Sequence, residues 1–250
     1  MEKTYYPMVA AGFVALAIVC LVCLLAGTYK TFIRMGIPDR KARRRNLMVA
    51  VVLLIWIGIA SALAISGILS DFASIPPKFA IVIVAPLVSV VLLMRWPVFK
   101  NFLAHVPDSW LCYIQVFRVP VELFLWLLFL DNLIPVQMTF EGRNWDVLTG
   151  LTAPLAAYVC FGQGRKRRQL ALIWNLVGMA LLLNIISVAM LSTPSPFRMF
   201  FNEPANTIVA TFPTVLLPAL LVPIAYTMHL FSIQKILMRQ ETSAPATAFS

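Results

Sequence analysis

The sequence predicts an all-α fold: a polytopic bundle of seven transmembrane helices, N-terminus outside and C-terminus cytoplasmic. Three observations predict it. Of the 250 residues, 61% are apolar and 12% charged, with a mean hydropathy of +0.88, whereas a soluble domain carries about 25% charged residues. Several apolar runs approach the roughly 20 residues a helix needs to cross a bilayer, and they lack the alternating ~10-residue segments of a transmembrane barrel. The basic residues, which give a net charge of +10, cluster in short loops between these runs. That placement argues against nucleic acid as the partner and for a lipid bilayer.

The first span is expected at about 7–27. Met1 to Tyr6 holds one Lys against one Glu, so it lacks the basic n-region of a signal peptide, and we read an uncleaved helix. A basic loop with Arg40, Lys41, Arg43, Arg44 and Arg45 leads to the second span, about 47–69. The third is about 79–94, followed by a loop with Arg95, Lys100, His105 and Asp108. The fourth, about 109–130, precedes a polar connection from Asp131 to Asp146. The fifth is about 147–161, the sixth about 170–191 and the seventh about 207–233, all within one membrane domain, 1–239. The tail, 240–250, is small and polar and is expected to be disordered and cytoplasmic.

Alternate loops face opposite sides of the membrane. Fifteen Lys and Arg fall on one side and four on the other. The positive-inside rule makes the basic side cytoplasmic. These loops read as topology determinants facing anionic lipid. A phosphate site on Arg40 to Arg45 is the sharper alternative, but no Gly-rich cradle accompanies it.

Spans 2 and 6 both begin after an Arg-polar-Leu step and end in Leu-Ser, and Pro86 in span 3 aligns with Pro213 in span 7. The pattern suggests a 3+1+3 parallel repeat, an arrangement that places transporter sites at the repeat interface.

The fourth span carries Gln115, Arg118 and Glu122 on one helical face. Arg118 lies nine residues past Ser109, about 14 Å along a helix. A lone charge near mid-membrane costs about 2.5–3.5 kcal/mol on insertion scales and marks a functional hypothesis. The i,i+4 spacing suggests a buried Arg118–Glu122 pair. It could form a binding site or gate, or it could fix helix packing. Asn175, Asn184 and Thr211 are the expected partners from spans 6 and 7.

Glu141, Arg143, Asn144 and Asp146 before span 5, and Asn202, Glu203 and Asn206 before span 7, are expected to cap two helix N-termini and to line an outer vestibule for a polar or anionic solute. Pro213, Pro218 and Pro223 should bend span 7. No cofactor or metal is expected. His105 and His229 lie outside any zinc-type pattern, and Cys20, Cys23, Cys112 and Cys160 read as small packing residues.

The segments Met138–Asp146 and Phe201–Thr211 resemble recurring segments in a family of uncharacterised bacterial integral membrane proteins. The likeness covers about residues 105–235. It implies a multi-pass protein of the bacterial cytoplasmic (inner) membrane without an assigned activity. The layout is also similar in topology to SWEET-type transporters, although the fourth helix is a plain linker in that plan. Three functions compete: transport or permeation of a small polar or anionic solute, a seven-helix sensor or partner-binding protein, and a membrane enzyme acting on a lipid or quinone.

Overall fold

Residues 4–241 are described by a computed structural model, with side chains through Met238. Among them, six stretches are long and apolar enough to cross a membrane: Tyr6–Arg34, Asp39–Ile65, Lys78–Arg95, Asp108–Leu130, Arg168–Leu191 and Leu217–Met238. The expected fifth span is also a helix, Val147–Phe161, with the predicted bounds. Its 15 residues measure only about 22 Å at 1.5 Å per residue. No strand occurs among the described residues. Of the expected tail, residues 242–250 lie outside the described residues; the last helix runs to Glu241.

The helices are α1 (Tyr6–Arg34), α2 (Asp39–Ile65), α3 (Ile81–Arg95), α4 (Pro97–His105), α5 (Asp108–Tyr113), α6 (Arg118–Leu130), α7 (Val147–Phe161), α8 (Arg168–Leu191) and α9 (Val222–Glu241). In α1, Val9, Phe13, Ala17 and Cys20 form one buried stripe, the spacing of a helix that touches protein along a single seam. Phe13 meets Phe124 of α6 edge-on at 5.2 Å. Gly12 clears the space for that ring, since a Cβ there would sit 2.6 Å from Phe124 Cζ. The first backbone donors of α1 have no partner within the helix. Asp131, from the far end of α6, accepts from the Tyr5 and Tyr6 amides at 2.8 and 2.6 Å.

Two expected loops are helical. Arg40 to Arg45 form the opening turns of α2 rather than a loop. Cations at a helix N-terminus oppose its dipole. Asp39 at the first position offsets this, pairing with Arg43 at 2.8 Å and accepting from the Tyr29 hydroxyl. The connection after span 3 forms α4, with Leu103 buried and Lys100 exposed. Phe99 of α4 packs on Phe231 of α9, ring centroids 4.9 Å apart. Of the cysteines, Cys20, Cys112 and Cys160 are buried, while Cys23 faces outward.

The stretch expected as the seventh span is the most buried of those long enough to cross a membrane. Its prolines do more than bend it. Residues 208–210 form a 3₁₀ turn and Leu217–Leu221 a π-helix, before α9 begins at Val222. Pro223 has no N–H to offer the carbonyl of Ala219. Trp56 of α2 supplies the donor instead, Nε1 to Ala219 O at 2.8 Å. A freed carbonyl thus becomes the docking point for another helix, worth a net ~0.5–1.5 kcal/mol.

Candidate functional site

The site forms where the fourth span breaks. Pro120 lacks the N–H that would bond the Val116 carbonyl. The chain winds as a 3₁₀-helix over Ile114–Phe117 and resumes as α6 at Arg118. Glycine at position 150 lets α7 approach this break, because a Cβ there would lie 2.9 Å from Val119 Cγ2 and 3.0 Å from Val119 N. That approach brings Asn144 and Asp146, at the head of α7, onto Arg118 and Glu122.

Arg118 is 1% exposed. Its Nη2 lies 2.8 Å from Asp146 Oδ1, and its Nη1 donates to His229 Nε2 at 3.0 Å. The Nη2–Asp146 contact is an ion pair off hydrogen-bond alignment, and Nε has no partner among the described residues. Glu122, 2% exposed, accepts from Asn144 Nδ2 at 2.7 and 2.6 Å. The same amide donates to Met138 O, while Asn144 Oδ1 accepts from the Asp146 amide.

The network continues through α9 into α8. A guanidinium can only donate, so His229 Nε2 accepts and the imidazole proton sits on Nδ1. Nδ1 donates to Asn175 Oδ1 at 2.9 Å, and Asn175 Nδ2 donates to Ser232 Oγ and to Ala171 O. The imidazole is therefore neutral in this arrangement. Gly178 of α8 makes room for it: a Cβ there would lie 2.6 Å from His229 Cε1. Gln115 anchors the 3₁₀ segment by donating to Ala225 O at 3.0 Å.

A partly open cavity of about 70 Å³ adjoins this network. Phe79 and Ile83 form one wall, Leu182, Ile185 and Ile186 another, and Leu217, Pro218 and Leu221 of the π-helix a third. Its polar members are Arg118, Glu122, Asp146 and Asn206. The chemistry on offer is recognition of an apolar body with a polar end.

Several expectations need correction. The i,i+4 pair of Arg118 and Glu122 does not form; Arg118 takes Asp146, and Glu122 takes Asn144. Of the expected partners, Asn175 reaches Arg118 only through His229. Asn184 is exposed and donates to Arg143 O, pinning the loop before α7. Thr211 bonds locally to Ile208 O. The residues expected to line an outer vestibule do not share one environment. Glu141 and Arg143 are exposed, with Glu141 accepting from Trp126 Nε1, while Asn144, Asp146 and Asn206 are buried. Asp146 is the N-cap residue of α7 but makes no side-chain cap bond, because its carboxylate faces Arg118. Asn202 and Glu203 cap no helix. Arg198 donates to Asn202 O and to Glu203 Oε1, and this bond holds the exposed Glu203 carboxyl below its ordinary pKa.

His229 is the member the sequence reading missed. The absence of a zinc-type pattern around it says nothing of a polar network. A histidine in an apolar span with Ser232 three residues on was the available signal. Lys235, farther along α9, is 2% exposed and pairs with Asp108 at 3.2 Å.

Fold and site together define a polytopic, all-helical membrane protein with a charged cluster buried inside its bundle. Residues 75–237 match a domain of unknown function, DUF8737, and the chain belongs to that family. The matched region holds every residue of the cavity and network and excludes α1 and α2. No curated protein and no solved structure matches the chain.

Proposed function

We propose that this protein binds a small amphipathic molecule in the cavity beside Arg118, Glu122 and Asp146 and carries it across the membrane. One observation carries the reading: a cavity of about 70 Å³ whose apolar walls converge on three buried charged groups. Ligand sites are built this way, apolar walls with few polar groups fixing orientation. The apolar walls favour an amphipathic solute over the small polar or anionic one expected from sequence. Movement has a candidate element in the wall itself, since Leu217–Leu221 form a π-helix and such segments recur at functional sites.

In this reading the N-terminus is outside, the C-terminus is cytoplasmic, and α7 completes a seventh crossing of the bacterial cytoplasmic membrane. The opening turns of α2 then face anionic lipid. Tags at Glu141 and Lys166 should report opposite sides of the membrane; the same side for both would remove α7 from the spans.

The function is tested with purified protein in liposomes. Radiolabelled amphiphiles of one tail length and different head groups are screened for saturable binding and for flux. Ile186→Trp, which fills the cavity, should abolish both. Saturable binding without flux would convert the carrier into a sensor. Binding unaffected by Ile186→Trp would place the ligand elsewhere.

A further inference from the structure

We infer that the molecule held in this cavity is an amphipathic cation, an amine whose N–H groups are received by Glu122 and Asn206. The inference rests on the cavity being a ligand site and goes beyond it by naming the ligand's charge.

The first observation is a charge imbalance. The ionisable groups lining the cavity are one guanidinium and two carboxylates: Arg118, Glu122 and Asp146. Arg118 is engaged by Asp146 at 2.8 Å. Among the described residues Glu122 has no cation within ion-pair distance; a neutral amide, Asn144 Nδ2, is what it receives. His229 does not redress the balance, because Nε2 accepts from Arg118 and the ring is neutral. The nearby Lys235 is paired with Asp108. One negative charge is thus left uncompensated in a buried site, which is strongly disfavoured until a proton or a cation joins it.

The second observation is independent. Asn206 is 0% exposed and lines the same cavity. Its Nδ2 donates to Ala189 O at 3.0 Å, but its Oδ1 has no hydrogen-bond partner. A buried acceptor is ordinarily met by a donor group, from protein, water or a bound molecule. An uncompensated carboxylate and an orphan acceptor in one apolar chamber are together complementary to an ammonium bearing N–H bonds. An anionic ligand would add a second unbalanced charge, and the one guanidinium that could meet it, although its Nε is free to donate, is already neutralised by Asp146.

Proton and ammonium should compete for Glu122. The groups facing it are Arg118 on its own span and Asn144 and Asp146 from the loop before α7. The stretches lining the cavity from α3, α8 and residues 206–225 supply no ionisable side chain. Binding of the amine to the protonated site releases that proton to water, and charge is conserved.

The test uses the full chain in nanodiscs of zwitterionic lipid. Four probes share one tail: octylammonium, octyltrimethylammonium, octanol and octanoate. Thermal midpoint is followed against probe concentration. Octylammonium should stabilise saturably near pH 8 and more weakly near pH 5, where a carboxyl proton competes. The quaternary probe, lacking N–H, should bind about tenfold more weakly, a difference of ~1.4 kcal/mol. Asn206→Ala should erase that preference, and Glu122→Gln should abolish octylammonium binding. If Glu122→Gln does not fold, the ranking of the four probes and the pH dependence decide on wild-type protein. Octanoate matching octylammonium, or undiminished amine binding by Glu122→Gln, overturns the inference. Saturable binding of octanol or octanoate in place of the amine leaves the cavity as a ligand site and removes only its charge assignment. No binding of any probe overturns both.

Discussion

α2 and the seventh span are both apolar and long enough to cross a bilayer, yet they solve opposite problems. In the most apolar window of α2, 11% of residues are buried inside the protein, against 67% for the seventh span. α2 is the more apolar of the two. In water the order would be reversed, because burial selects apolar residues. In lipid the outer surface faces hydrocarbon, and association between helices depends on packing and on polar contacts. α2 buries Ala42, Ala60 and Ala64 and exposes Leu47, Val52, Leu54 and Ile55. The seventh span buries His229, Ser232 and Lys235. In this protein the less apolar helix is the core, and the family match, which begins at residue 75, leaves α2 outside it.

The comparison can be broken most forcefully at Arg118. Removing it leaves Asp146 without a cation and His229 Nε2 without a donor. Arg118→Met should cost on the order of 3–5 kcal/mol, the loss seen when one partner of a buried ion pair is removed. Adding Asp146→Leu should recover more stability than adding Glu122→Met, because the structure pairs Arg118 with Asp146. Melting in detergent compares the three variants. Equal melting of Arg118→Met and wild type would refute the buried network.

Two glycines give a matched test. At Gly178 a new Cβ would strike His229, whereas at Gly58 in α2 nothing lies within 4 Å. Gly178→Ala should destabilise by about 1–3 kcal/mol through overpacking. Gly58→Ala should stabilise by roughly 0.5–1 kcal/mol through helix propensity alone. Shifts of the same sign in the two melts would contradict the contrast.

A smaller effect is expected where the two regions touch. Trp56→Phe removes the donor to Ala219 O and should cost about 0.5–1.5 kcal/mol. Ile55→Ala, one residue away and 56% exposed, should stay within about 0.5 kcal/mol. If the alanine variant proved the weaker, α2 would be held by something other than the freed carbonyl.

The mildest test lies in the loop after α8. Arg198 holds the Glu203 carboxyl low, so its folded pKa is below the unfolded value of about 4.3. The stability this contributes is present above that value and is lost as pH falls through the folded pKa. A series of melts at falling pH should show a slightly smaller acid loss in Arg198→Ala than in wild type. Identical acid slopes would mean that the pair does not form in solution.

The sequence by itself determined the class of protein and most of its helices. Where an apolar run starts and stops is a local property, so α7 could be bounded to the residue and the spans around it closely. It also marked Arg118 and Glu122, since a charge within an apolar run is conspicuous without any structure. Pro213, Pro218 and Pro223 signalled irregular backbone for the same local reason. Their partners were another matter. Glu122 meets Asn144 from 22 residues away, and Arg118 meets His229 from 111 residues away. Helical spacing favoured the nearer pair, Arg118 with Glu122, and tertiary structure overruled it. The physical reason lies in the solvent. Lipid accepts nearly every face of these helices, so their apolar pattern carries little information about which face turns inward. That choice fell to close backbone approaches at Gly150 and Gly178, and to polar groups that hydrocarbon could not satisfy.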